Sequence, residues 1–164
     1  MEDKWIVIVN VYAASKKAGA LWRGIESQLK ARGIDYLCHM TGTDGNACEL
    51  AQSAAAEGYR RFVAVGGDGT VHDVLNGIMN YVDSPDAVGS GVAVSDFTLA
   101  VLPMGSGNDW IKSTGVPRDP VKALSMLASA SFVRQDVVKV SLLDADGAVR
   151  SVSYMANIGG VGID

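Results

Sequence analysis

The sequence predicts a three-layer α/β/α domain, in which helices cover both faces of a mostly parallel sheet. Short apolar runs, which are typical of buried strands, alternate with longer segments whose apolar residues recur at helical spacing. Such alternation is the pattern of parallel sheets with helical crossovers. The chain has 164 residues, of which 48% are hydrophobic, and this is enough for one domain with its own core.

Gly and Pro positions divide the chain into the expected elements. Strands are expected at 4–10, 34–41, 60–67 and 97–103, and helices at 16–33, 46–58, 70–82, 107–115 and 119–130. Residues 83–96 are rich in turn formers and are expected to form a loop. Two strands joined by a hairpin turn at "DADG" are expected to close the chain. Trp5, Trp22 and Trp110 are expected to pack against neighbouring elements rather than to stack on a ligand.

The composition narrows the functional classes. A net charge of −4 argues against a general nucleic-acid binder, because such proteins are usually basic. No apolar run approaches the roughly 20 residues that span a bilayer, and "WIVIVNVYAA" is typical of a strand rather than a signal sequence. We therefore expect a cytoplasmic protein, and work at a membrane surface stays open. Cys38 and Cys48 are expected to be core thiols, and a site that combines them with His39 is the alternative.

The position of a ligand site follows from the predicted sheet. Ligands of open α/β sheets bind beyond the carboxyl ends of the strands. The first, third and fourth strands end near Asn10, Gly66 and Pro103, so their loops should open on one edge. Two of these loops, "GGDGT" and "MGSGND", are rich in glycine. Neither is a P-loop, because the chain contains no Gly–Lys pair, and neither fits G-x-G-x-x-G.

The first glycine loop nevertheless has the properties of a phosphate site. Gly66, Gly67 and Gly69 can adopt conformations closed to other residues and let backbone N–H groups approach a ligand. Thr70 is expected to begin the next helix, whose N-terminus carries partial positive charge. A tight strand-to-helix turn without a ligand is the alternative. The second glycine loop on the same expected edge favours a ligand site.

Asp68 is the discordant residue of this loop. A carboxylate beside a phosphate is repelled by about 1 kcal/mol at about 4 Å in water, and by more in a cleft. It would be tolerated if it held a divalent cation that bridges to phosphate, or if it accepted a proton from an attacking hydroxyl. Both roles indicate phosphoryl transfer. The remaining alternative is that Asp68 caps the helix.

The segment "GGDGTVHDVLNG", followed about 35 residues later by "PMGSGND", resembles the catalytic domain of the diacylglycerol kinase family. Bacterial lipid kinases and the sphingosine and ceramide kinases share this pattern. The resemblance implies a nucleotide-binding domain of the NAD kinase and diacylglycerol kinase type. Its expected activity is transfer of the γ-phosphate of ATP to a lipid hydroxyl with the help of Mg²⁺. A lipid alcohol as acceptor further implies a position at the inner face of a membrane.

The resemblance also implies roles for individual residues. Asp68 matches the acidic residue that is assigned to catalysis or to magnesium, the latter through a water molecule. Asn76 and Gly77 match the "NG" of the following helix. The implied nucleotide-binding residues are Asn10, Gly66, Gly67, Gly69, Thr70, Gly105, Ser106, Gly107 and Asn108.

One departure from the family pattern lies after the first strand. Val11 stands where the family usually has proline, and Ala14 falls about where a glycine is usual. Alanine resists positive φ, so this loop has another shape or the register differs by one residue. Ser15, Lys16 and Lys17 could still reach a phosphate, and a solvated helix start is the alternative for the two lysines.

A second departure is the length of the chain. Residues 1–164 are expected to be a nucleotide-binding domain that is truncated before a β-rich C-terminal domain. Because that domain would cover the cleft, we expect lipid phosphorylation by the fragment to be weak or absent. An NAD kinase-like kinase of a soluble substrate and a non-catalytic nucleotide-binding module are the alternatives. The sequence leaves the lipid and the oligomeric state open, a homodimer included.

Overall fold

The computed structural model describes residues 4–13, 18–43, 45–129 and 132–156. The strands are β1 Trp5–Val9, β2 Tyr36–Met40, β3 Arg61–Gly66, β4 Thr98–Pro103, β5 Val138–Leu143 and β6 Val149–Met155. The helices are α1 Ala18–Ala31, α2 Ala47–Ala56, α3 Asp68–Val82, α4 Pro85–Gly89, α5 Trp110–Thr114 and α6 Pro120–Ser129. A 3₁₀ turn covers Val94–Asp96.

Four of the strands form a parallel sheet in the order β2-β1-β3-β4. In its register Val9 lies beside Val65, and Gly66 lies beside Pro103. The carboxyl ends of β1, β3 and β4 are therefore neighbours, and their loops meet at one edge, as the sequence predicts. A backbone hydrogen bond from the Asn10 N–H to the Val65 carbonyl, at 2.9 Å, extends the pairing beyond the end of β1.

The predicted three-layer arrangement is confirmed by two separate apolar cores. All five residues of β1 are buried, and side chains of a strand point alternately to opposite faces. Ile6 and Ile8 belong to the core that includes residues of α2, α3 and α5. Trp5, Val7 and Val9 belong to the core that includes residues of α1 and α6. The central sheet is thus covered on both faces.

The three tryptophans lie in these cores, as expected. Trp5, Trp22 and Trp110 are 6%, 1% and 9% exposed. They occupy β1, α1 and the first position of α5, respectively. Their burial accounts for their presence without an aromatic contact to a nucleotide.

Residues 83–96 contain more regular structure than the expected loop. Ser84 caps α4 and accepts a hydrogen bond from the Ala87 N–H at 3.3 Å, and Pro85 occupies the first helical turn. Ser followed by Pro is a helix-start signal as well as a turn signal. Because the resulting helix has only one turn, periodicity of apolar residues cannot reveal it.

The closing strands form the predicted hairpin, which is a separate antiparallel sheet of β5 and β6. Its turn uses Gly147 at φ 79°, a conformation that favours glycine. The hairpin is attached to α3 through Asn76, which accepts from the Tyr154 N–H and donates to the Tyr154 carbonyl, both at 2.9 Å. Asp83 accepts hydrogen bonds from the Tyr154 hydroxyl and from Lys139. Asn76, at the "NG" of the family pattern, therefore has a structural role in this arrangement.

Gly77 permits the close packing of α2 against α3. A Cβ at this position would overlap the carbonyl oxygen of Cys48 and lie 2.7 Å from the Cβ of Ala51. Since the opposing atoms are helix backbone and a short side chain, neither can turn aside. The glycine is required by this helix–helix contact.

We predict that Gly77→Ala lowers the free energy of unfolding by about 2 kcal/mol or more, because it overpacks a backbone contact. Gly24→Ala in α1 is the matched control, since nothing lies within 4 Å of its added Cβ. The control should raise stability by up to about 1 kcal/mol through helix propensity. Urea denaturation of the two variants measures both effects, and equal stabilities would contradict the packing role of Gly77.

Candidate active site

The two glycine loops touch each other at the carboxyl edge of the sheet. A Cβ at Gly67 would lie 3.1 Å from the Cα of Gly105, and one at Gly105 would overlap the Cα of Gly67. The Met104 N–H donates to the Gly66 carbonyl at 2.7 Å. Because these contacts join backbone to backbone, the loops form one surface.

One of the two expected reasons for Gly66, Gly67 and Gly69, a backbone conformation closed to other residues, was wrong, and the close approach of their N–H groups to a ligand stays a prediction. None of Gly66, Gly67, Gly69, Gly105 and Gly107 has φ in the left-handed region. Close approach is the reason instead at three of these positions: Gly67 and Gly105 face each other, and a Cβ at Gly66 would overlap the hydroxyl of Thr70. The glycines thus bring backbone segments together without unusual dihedral angles.

Among the described residues, Asn108 is the one non-glycine residue with a left-handed backbone conformation, at φ 53°. Its side-chain oxygen accepts from the Gly105 N–H at 3.1 Å, and its amide nitrogen donates to the Gly105 carbonyl at 2.6 Å. Asn108 is 9% exposed. It therefore closes the second glycine loop, and asparagine is among the residues that tolerate this conformation.

Asp68 connects the two loops. Helix α3 begins at Asp68 with Gly67 as its N-cap, so Thr70 does not begin the helix and Asp68 does not cap it. Instead, the Asp68 Oδ1 accepts a hydrogen bond from the Trp110 N–H at 3.0 Å, where α5 begins. The carboxylate of the first loop thus binds the backbone of the second.

The surroundings of Asp68 keep its carboxyl group ionised. Partial burial raises its pKa, but the backbone N–H donors of Trp110, Asp109 and Asn108 outweigh this effect and lower the pKa below its ordinary value of 3.8. A carboxylate that accepts several N–H groups is stabilised in its charged form. Asp68 is therefore an anion at neutral pH in a loop that also presents backbone donors.

Thr70 and Asn10 lie beneath the loop surface. Thr70 is 2% exposed, and its hydroxyl accepts from the Asn10 amide nitrogen at 3.1 Å. The Asn10 side-chain oxygen accepts from the Tyr12 N–H at 3.0 Å. These two residues join the end of β1 to the first turn of α3. Both are thus placed at the expected edge, with their polar groups already engaged within the protein.

Three of the expected nucleotide-binding residues face solvent. Gly69, Ser106 and Gly107 are exposed, and they lie on both loops around Asp68. A Cβ at Gly107 would stand 3.1 Å from the Asp68 Oδ2, so this glycine gives access to the carboxylate. The part of the site that a ligand could contact directly therefore includes these three residues and Asp68.

Thr41 is a buried polar residue at this edge of the sheet that the sequence reasoning did not consider. It follows β2, and its N–H donates to the Val9 carbonyl at 2.9 Å, which places it at the same edge. Thr41 is 5% exposed, and its hydroxyl has no hydrogen-bond partner among the described residues. The signal available in the sequence was a threonine followed by glycine at the end of a predicted strand, in "TGTDG".

The expectations for the loop after β1 and for the end of the chain concern residues that the structure does not describe. Ala14, Ser15, Lys16 and Lys17 lie outside the described residues, as does the segment 157–164.

Cys38 lies on β2 and Cys48 on α2, and burial raises the pKa of the Cys38 thiol to about 11. Within the described part of the chain, no group of three His, Cys, Asp or Glu residues could hold a metal ion.

Comparison with known proteins places this arrangement in a family. The model of the diacylglycerol kinase catalytic domain matches residues 4–140, which include both glycine loops. The chain belongs to this family. The match confirms the resemblance carried by the two loop motifs.

Relatives and solved structures agree with the family. The chain is 31% identical, over 148 residues, to a "Probable lipid kinase YegS-like" of Stenotrophomonas maltophilia. The aligned region covers 88% of this chain and 42% of the relative. It is 27% identical to a "Diacylglycerol kinase" of Staphylococcus carnosus, over 77% of this chain and 39% of that protein. The crystal structure of a diacylglycerol kinase from Bacillus anthracis superposes with a TM-score of 0.66 at 25% identity, covering 85% of this chain and 44% of the other.

The chain spans less than half the length of these relatives. The family assignment therefore concerns the α/β domain that is described above, of which residues 4–140 match the family model. Across the described ranges, no helix is both long enough and apolar enough to cross a bilayer.

The lowered pKa of Asp68 predicts a pH dependence of stability. A group whose pKa is lower in the folded than in the unfolded state contributes stability above its unfolded value, near 3.8, and loses it as pH falls through the folded value. Asp68→Asn keeps an oxygen acceptor for the Trp110 N–H but has no charge.

We therefore expect the wild type to be more stable than Asp68→Asn at about pH 6, and this difference to shrink as pH falls below about 4. Urea denaturation across this range measures it. If the free energies of unfolding of the two proteins differ by a constant amount down to acid pH, the backbone donors of the second loop do not stabilise the ionised Asp68.

Proposed function

We propose that this chain is the nucleotide-binding domain of an ATP-dependent lipid kinase, which transfers the γ-phosphate of ATP to the hydroxyl of a diacylglycerol-like lipid. The observation that carries the proposal is the ionised Asp68 at the junction of two glycine loops. The names of the relatives point to the same chemistry. A carboxylate in this position is favourable when it faces a cation next to phosphate.

The first turn of α3 supports phosphate binding. The helix has 15 residues, and its Gly67 N-cap provides no side-chain hydrogen bond to the first N–H groups. Unsatisfied N–H groups and the helix dipole both favour an anion at this end. Gly69 is exposed here, so the phosphate oxygens of ATP can approach the backbone closely.

Mg²⁺ fits the chemistry of these residues. The ion is usually held by one or two carboxylates together with substrate phosphates, and a dedicated cage of protein ligands is not needed. Asp68 supplies one ionised carboxylate, whose Oδ2 lies next to the exposed Gly107. Asp68 would hold the ion through water or directly, and the exposed Ser106 directly precedes Gly107 in the second loop. When bound, the ion neutralises the charge that develops on the phosphoryl group.

The environment of Asp68 favours the cation-binding role over the proton-accepting role. A general base works best when its pKa lies near the operating pH, and the pKa of Asp68 is shifted in the opposite direction. The hydrogen bond to Trp110 also occupies one carboxylate oxygen. In this arrangement Asp68 would bind the cation and would hold the second loop through its hydrogen bond to Trp110. The acceptor hydroxyl would lose its proton to another group.

We also propose that a β-rich domain normally completes the cleft. A two-stranded sheet is marginally stable in isolation, and the hairpin exposes much of its apolar surface. Its aliphatic residues with more than half of their surface exposed are Val138, Leu142, Leu143 and Val149. Relatives of more than twice the matched length agree with a further domain. A lipid substrate would place the complete enzyme in the cytoplasm against the inner face of a membrane.

The proposal is tested by phosphoryl transfer from γ-labelled ATP to a panel of acceptors in the presence of Mg²⁺. The panel contains diacylglycerol, monoacylglycerol, a sphingoid base, undecaprenol and NAD. We expect labelled lipid, with low turnover from the 164-residue chain and higher turnover when the chain is joined to the C-terminal half of a relative. Label on NAD alone would favour a kinase of soluble substrates.

Asp68→Asn should reduce transfer by at least about 100-fold, because a charge next to the transferred phosphate is lost. Its affinity for ATP should change only a few-fold, as measured by calorimetry. Asp86→Asn, an exposed acid in the first turn of α4, is the matched control and should behave as wild type. ATP binding without any transfer, unchanged by Asp68→Asn, would instead identify a non-catalytic nucleotide-binding module.

A further inference from the structure

Arg118 reaches the second glycine loop from the connection between α5 and α6. Its guanidinium group donates to the Gly107 carbonyl at 3.5 Å, and the residue is exposed. Gly107 adjoins the Asp68 carboxylate, since a Cβ at this glycine would stand 3.1 Å from the Asp68 Oδ2. A single glycine therefore lies between the guanidinium group and the carboxylate of the candidate site.

The backbone that carries Arg118 is anchored on both sides. Val116 packs against both apolar cores, and Pro117 has a restricted backbone. On the other side, the Asp119 carboxylate accepts a hydrogen bond from the Val121 N–H at 2.8 Å, at the start of α6. Arg118 is thus presented to the second loop from a fixed position, and its exposed side chain is free to turn toward a ligand.

The contact between Arg118 and Gly107 is a weak one. A donor–acceptor distance of 3.5 Å is long for a hydrogen bond, and the acceptor is a neutral carbonyl. A phosphate group is a stronger acceptor for guanidinium, which can bind it through two parallel N–H groups. The side chain would therefore exchange the Gly107 carbonyl for a phosphate group that enters the site.

The charge of the candidate site favours a protein cation beside the phosphates. A nucleoside triphosphate with one bound Mg²⁺ is still an anion, and the chain itself has a net charge of −4. The lysine of a P-loop is missing from the sequence. Within the described ranges, Lys112 of α5 is paired with Asp109, whereas Arg118 takes part in no ion pair. The charge of Arg118 is thus available to a ligand.

We propose that Arg118 is a nucleotide-binding residue, whose guanidinium group contacts the β- or γ-phosphate of ATP next to Gly107. The metal ion of phosphoryl transfer bridges these two phosphates, so a group close to the cation-binding Asp68 is also close to them. The inference rests on the proposed function, since it adds a ligand to the same phosphate site. Arg118 lies outside both glycine motifs, which is why the motifs do not reveal it.

The test is calorimetric binding of ATP with Mg²⁺, and of AMP, to the wild type and to Arg118→Gln. We expect the affinity for ATP to fall about ten- to 30-fold, as for the loss of a hydrogen bond to a charged group. The affinity for AMP should stay unchanged, because AMP has no β- or γ-phosphate. Arg118→Lys keeps the charge but loses the paired N–H groups, and its affinity for ATP should lie between the two.

Arg32→Gln is the matched control. Arg32 is also exposed and donates to a backbone carbonyl, that of Gln28, at 3.2 Å. It lies at the opposite edge of the sheet, close to Asp35, whose carbonyl accepts from the Trp5 N–H at the start of β1. This variant should bind ATP as the wild type does. Equal losses in Arg32→Gln and Arg118→Gln would overturn the inference, because the change in net charge would then explain both.

The outcomes separate this inference from the proposed function. If the wild type binds ATP and Arg118→Gln binds it equally well, the role of Arg118 is overturned and the kinase proposal still stands. Equal losses for ATP and AMP in Arg118→Gln would overturn the assignment to the terminal phosphates. A wild type that binds no ATP would contradict the proposed function itself, and the role of Arg118 with it.

Discussion

The hydrogen bond from the Trp110 N–H to the Asp68 carboxylate is the interaction on which the candidate site depends. It joins residues 42 positions apart and brings the first turn of α3 against the start of α5. The contact needs Gly67 and Gly105, since any Cβ there would separate the backbones. Each feature supports the others: the glycines allow the approach, and the carboxylate holds it.

This arrangement explains how an acidic residue is stable in a turn that is proposed to bind phosphate. The backbone donors of the second loop balance the negative charge of Asp68 in the absence of a ligand. The first N–H groups of α3 receive no hydrogen bond from the side chain of the N-cap residue, which is Gly67. The protein thus presents a negative carboxylate and positive helix end side by side, which suits a cation–phosphate pair better than a free anion.

Much of the fold and of the site could be predicted, and the misses have specific physical reasons. The sheet edge that collects the loops was predicted because parallel pairing aligns strand ends. Helix α4 was missed because one turn is too short to show periodicity. Thr41 was missed because neither burial nor a lack of partners can be seen in a single residue type. The proposed roles of the nucleotide-binding residues stay predictions, since no contact with a nucleotide is observed.

The sequence by itself determined the order of strands and helices, the edge at which the loops meet, and the family. These follow from local periodicity, from turn residues and from the spacing of two motifs, all of which act over short stretches of chain. Only the tertiary structure decided that Gly66, Gly67 and Gly105 serve close approach rather than positive φ, that Thr70 and Asn10 are engaged with each other, and that Asp68 binds the second loop. The physical reason is that these are contacts between distant segments, whose geometry depends on how the helices pack on both faces of the sheet.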